Sequence, residues 1–162
     1  MKWDNDDEDY DPSDFEAGQP DEEALEDIRR EDERINAMPI MQKALQILDV
    51  TEALLETLPE DDITEHYKHV MLEDALTLSS KIAAAEGTDL YTFRMENAVI
   101  VKVACRSLVT QTSGLKMMGL SDPRYLQVLL DEVEEFRLLF VEWIKTFDRK
   151  KDIRDNWGLF YD

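Results

Sequence analysis

One cysteine, five glycines and five prolines in 162 residues remove several architectures at once. Cys105 alone can form neither an intramolecular disulfide nor a cysteine-rich zinc site. Half of the scarce glycines and prolines stand where helices would start or stop, at Pro39, Pro59, Gly87, Gly119 and Pro123, and that placement favours an all-α chain. Bases are also few, 18 against 38 acids, for a formal charge of −20. Nucleic acid phosphates and anionic membrane surfaces are therefore disfavoured, since both are held by clustered Lys and Arg. No apolar stretch reaches the length of a membrane span, and Met1 to Asp7 contains no apolar signal core. A cytoplasmic location without membrane contact is the expectation. A glycine-rich phosphate loop, a nucleophile elbow and a Ser/His/Asp arrangement are likewise missing from the sequence.

What is present is helical periodicity. Leu126, Leu129, Val133, Phe136, Phe140, Trp143 and Phe147 recur in alternating steps of three and four, the a/d seam of an amphipathic helix. Ser121 or Asp122 can accept from an orphan N–H of its first turn, and Pro123 sits where a missing N–H costs nothing. A seam with four aromatics requires partner helices. Further helices are predicted over about 21–36, 39–58, 62–86 and 89–118, with this last one over 122–148. Gly87 suits a left-handed helix end, Asp89 a cap, and Gly114 a bend. The apolar, β-branched run Ala98 to Cys105 marks 89–118 as the most buried helix, and it makes Cys105 a small buried hydrophobe. Four long helices with short links predict an up-and-down four-helix bundle, with an extra N-terminal acidic helix and an aromatic C-terminal tail.

Charge is unevenly spread. Residues 1–35 carry 16 of the acids and four of the bases, so −12 of the −20 lies there. Residues 1–20 read as an acidic leader, disordered on its own, with Trp3, Tyr10 and Phe15 spaced among the acids. The segment 21–36 reads as an exposed helix laced with ion pairs. The tail, with Trp157, Leu159, Phe160 and Tyr161, is too apolar to stand in water and is predicted to pack back on the bundle end, burying Trp157.

Three groups of residues invite chemistry. His66 and His69 lie three apart on one helix, and Glu73 lies one turn beyond His69, a spacing that can face one metal. Surface histidines on a polar face are the plainer account. Ser107, Thr110, Gln111, Thr112 and Ser113, beside Lys102 and Arg106, form a polar cluster suited to recognition or to a register-fixing network. Glu132-x-x-Glu135 and Asp152-x-x-Asp155 are similar to the paired acidic motifs with which all-α nucleotide pyrophosphatases hold magnesium. That resemblance covers only the two acid pairs. It implies a Mg²⁺-dependent phosphohydrolase in which Arg149, Lys150 and Lys151 neutralise phosphates.

The sequence thus sets two expectations. The first is a non-enzymatic helical bundle, without cofactor, that acts through a protein partner or self-association by way of its leader or tail. The alternative is the magnesium enzyme.

Overall fold

The computed structural model describes residues 21–153 and 156–160. They form five helices and, among the described residues, no strand: α1 Glu22–Asn36, α2 Pro39–Glu56, α3 Asp62–Glu86, α4 Tyr91–Met118 and α5 Pro123–Ile144. The packing is that of a helical bundle. α3 lies most extensively on α4, α2 lies on both α3 and α5, and α4 meets α5 along a thinner seam. α1 touches α2 lightly.

Each boundary has a local cause. Asp21 accepts from the Ala24 N–H at 2.8 Å and opens α1. Asp61 accepts from the Thr64 N–H at 2.8 Å while the Asp61 N–H donates to the Thr64 hydroxyl, a reciprocal capping box that opens α3. Pro39 and Pro123 stand in the first turns of α2 and α5, and Asp122 accepts from the Arg124 N–H. The Arg124 guanidinium beside it holds the Asp122 carboxyl down at about 2. Gly119, at φ 67°, closes α4 in the left-handed conformation that glycine adopts without penalty.

The core is built from one stripe of each long helix. Ala44 and Ile47 of α2, Met71, Leu78 and Ile82 of α3, Val101, Leu108 and Leu115 of α4, and Leu129 and Phe136 of α5 are sealed from solvent. α1 contributes only Ile35, and its Leu25 and Ile28 stay more than half exposed. Its outer face carries the expected pairs, among them Arg29–Glu26, Arg30–Asp27 and Arg34–Glu31.

The structure corrects several local expectations. α5 ends at Ile144, because Thr146 and Phe147 donate to the carbonyls of Trp143 and Ile144 in a tighter i→i+3 turn, although Phe147 remains buried. Phe140 is only half-buried. Gly87 has φ −71°, so the end of α3 uses no left-handed residue. Asp89 does not cap α4, since its carboxylate meets Lys151 Nζ at 2.9 Å. The start of α4 is satisfied instead by the returning C-terminal segment. The Tyr91 N–H donates to the Lys151 carbonyl at 2.8 Å, and the Thr92 hydroxyl to Asp152 Oδ2 at 2.7 Å.

Gly114 does not end α4, which continues to Met118. A Cβ placed there would lie 2.5 Å from the Tyr67 hydroxyl, so the missing side chain leaves room for the Tyr67 ring of α3. Nor is α4 sealed all round, as Val99, Ile100, Val103 and Val109 remain substantially exposed.

The α4/α5 groove as a candidate interaction surface

The thin seam between α4 and α5 opens into a groove of about 590 Å³. Its shape follows from unequal side chains. On one wall α4 presents Cys105 and Val109 beside Lys102 and Arg106, and on the other α5 presents Phe140, Val141 and Ile144. Short side chains opposite long ones leave volume that neither helix fills. Val133 and Phe136, at 7% and 1% exposure, form the floor, so the groove rests directly on the core.

The rim is cationic in a strongly acidic protein. Lys102 and Arg106 are exposed, one turn apart on α4, and their side chains make no hydrogen bond or ion pair among the described residues. Arg137, on the opposite rim, is held by Glu134 at 2.7 Å. Cys105 is a free, half-buried thiol. Burial pushes its pKa up to about 12, with the negative charge of Asp74 adding to the effect. Asp74 is itself raised above the ordinary carboxylate range by burial, partly offset by a hydrogen bond from Ser107, and its Oδ2 has no partner.

The polar cluster late in α4 turns largely inward on its own helix. The hydroxyls of Thr110, Thr112 and Ser113 donate to the carbonyls of Arg106, Leu108 and Val109. Lys102, Arg106 and Gln111 are thus the members of that neighbourhood with capacity left for a partner.

The other sequence candidates fall in separate places. Glu132 and Glu135 come together, but on Lys43 of α2, at 2.8 and 2.6 Å, and Gln46 donates to Glu132 as well. These bonds raise the Lys43 pKa and stitch α5 to α2. Asp152 is engaged at the start of α4 by the Thr92 hydroxyl and N–H, and Asp155 lies outside the described residues. Glu132, Glu135 and Asp152 are therefore not assembled on a common centre. His69 and Glu73 approach to 3.9 Å on the exposed face of α3, while His66 stands edge-on to Tyr67 at 6.3 Å between ring centroids. Among the described residues no three His, Cys, Asp or Glu side chains converge as metal ligands.

The tail corrects an expectation. Its backbone does return to the bundle through Lys151 and Asp152, but Trp157 is 84% exposed, and Leu159 and Phe160 are also exposed. Asn156, Gly158 and Phe160 all have positive φ, so the described tail is a series of bends rather than a helix or strand. Trp3, Tyr10, Phe15 and Tyr161 lie outside the described residues.

A buried ionic cluster escaped the sequence reading. Glu86, the last residue of α3, is 6% exposed. Its carboxylate accepts from Arg94 of α4, from Arg34 of α1 at 3.1 Å and from the Trp143 indole of α5 at 2.8 Å. Arg94 also lies over the Phe147 ring at 4.2 Å. One signal was available: an acid at a helix C-terminus opposes the helix dipole and asks for cations nearby. The cluster joins four helices, and the Glu86 carboxylate is fully engaged within it, so it reads as architecture rather than as a reactive centre.

Among the described residues no helix is long and apolar enough to cross a membrane. The chain matches no protein-family model and no curated protein.

Proposed function

We propose that this protein is a non-enzymatic interaction module whose working surface is the α4/α5 groove. The observation that carries the reading is the combination of an apolar cleft resting on the core with two unpaired cations, Lys102 and Arg106, on its rim. Such a surface suits an acidic protein segment with apolar anchors, because the anchors displace water from the cleft and the rim charges select sign and register. The net charge of −20 supports a protein partner over nucleic acid or an anionic membrane. A reduced compartment, the cytoplasm, accords with the single cysteine.

A photo-crosslinking residue at Val109, used in cells that make the full chain, tests this. The expected adduct maps to an acidic segment of another protein or of a second copy. The purified segment should then bind the full chain, and K102E/R106E should weaken that binding about tenfold or more, as two reversed rim charges are each worth roughly 1 kcal/mol. An adduct mapping to a basic segment, or affinity indifferent to the reversal, refutes the reading. The magnesium phosphohydrolase makes the opposite forecast: Mg²⁺-dependent release of phosphate or pyrophosphate from nucleoside triphosphates, lost in Glu132→Gln. Its appearance would replace the interaction module.

A further inference from the structure

The groove's chemistry matches a segment of the chain itself. Residues 1–20 hold eight acids against one base, with Trp3, Tyr10 and Phe15 spaced among them. We propose that this leader docks in its own α4/α5 groove, acids against Lys102 and Arg106 and Trp3 on the apolar floor, so that a partner must displace it. The proposal rests on the groove being the interaction surface.

Three observations support it. The first is sign. Along a chain of net −20, the groove rim carries two cations, Lys102 and Arg106, that no acid among the described residues neutralises, and the leader is a strongly acidic stretch. The second is reach. The contacts Arg34 to Glu86 and Glu86 to Trp143 place the end of α1 at the same end of the bundle as Ile144, which lines the groove. The longest path from Asp21 to the cleft runs back along α1, about 22 Å for its 15 residues, and then across two helices, about 24 Å more. Trp3 stands 18 residues before Asp21 and can span about 59 Å when extended. With about 12 Å more from Ile144 to Phe136 along α5, the path stays just within the reach of the extended tether. The third is effective concentration. A short flexible tether holds its ligand at roughly millimolar concentration, so even a weak site fills intramolecularly while a free segment of equal affinity does not.

The consequence is a surface that rejects weak acidic ligands and admits partners that compete with the tethered leader.

Fluorine NMR of the full chain carrying 5-fluorotryptophan tests the proposal, with the Trp3 resonance assigned through Trp3→Phe. The expected Trp3 resonance is displaced from its position in a synthetic 1–20 peptide, does not move on dilution, and returns to the free position in K102E/R106E. Val109→Asp, which alters the wall without touching the cations, should have the same effect, and far-UV circular dichroism checks that both variants remain helical. A wild-type Trp3 resonance coincident with the free peptide overturns the proposal. So does a displacement that grows with concentration while light scattering shows a doubled mass, because the leader then lies on a second copy. If Trp3 is free but Val109 still crosslinks an acidic partner, this inference falls and the groove reading stands.

Discussion

Replacing Glu86 by alanine should be among the most damaging single changes outside the apolar core. The carboxylate is 6% exposed and joins Arg34, Arg94 and the Trp143 indole, and so fastens α1, α4 and α5 to the end of α3. Without it Arg94, itself 12% exposed and with an Nε that already has no partner, keeps its charge in a nearly dry site. Removing one member of a buried pair typically costs about 3–5 kcal/mol, chiefly through the charge left behind, and an orphaned indole N–H adds on the order of 1–3 kcal/mol if water cannot reach it. The Arg34 contact adds little, since that side chain is half exposed and keeps Glu31. A loss of about 4 kcal/mol corresponds to a fall of roughly 8–16 °C in Tm for a chain this size. Glu86→Gln preserves an acceptor for the indole but also leaves the Arg94 charge unpaired, so it should recover only on the order of 1 kcal/mol relative to alanine. Thermal and urea unfolding followed by circular dichroism provide the comparison. Equal stability of wild type and Glu86→Ala, or a glutamine variant no better than alanine, would refute the account of the cluster.

Two further predictions concern the core and the acid beside it. Phe136→Ala should destabilise by about 3–5 kcal/mol, the usual cost of emptying a sealed aromatic position, and half-buried Phe140→Ala by clearly less; the order of their urea midpoints checks this. Asp74→Asn should raise the Tm at pH 7 and leave it nearly unchanged at pH 3. Burial raises the folded-state pKa of Asp74, so its contribution to stability is full below the unfolded pKa and is lost as pH rises through the folded one. A Tm difference that is larger at pH 3 than at pH 7 would reverse that sign and disprove it.

The sequence by itself determined the helices and much of the core. The three-four spacing of Leu126, Leu129, Val133, Phe136 and Trp143 is a property of one helix, so it survives in any tertiary context, and all five are buried. The same holds for Asp21, Pro39, Pro123 and Gly119, whose roles depend on backbone a few residues away. What tertiary structure alone decided involves residues far apart in the chain. Glu132 and Glu135 read as a metal motif until Lys43, 89 and 92 residues away, occupied both. Asp89 read as a cap until Asp152 and the Lys151 carbonyl took over the start of α4. Gly114 read as a breaker until Tyr67 packed against it. The groove belongs to the same class. Periodicity shows that α4 and α5 each have an apolar face, but how completely the two faces close depends on the pairing of short side chains with long ones across the seam. That pairing exists only once the bundle has formed.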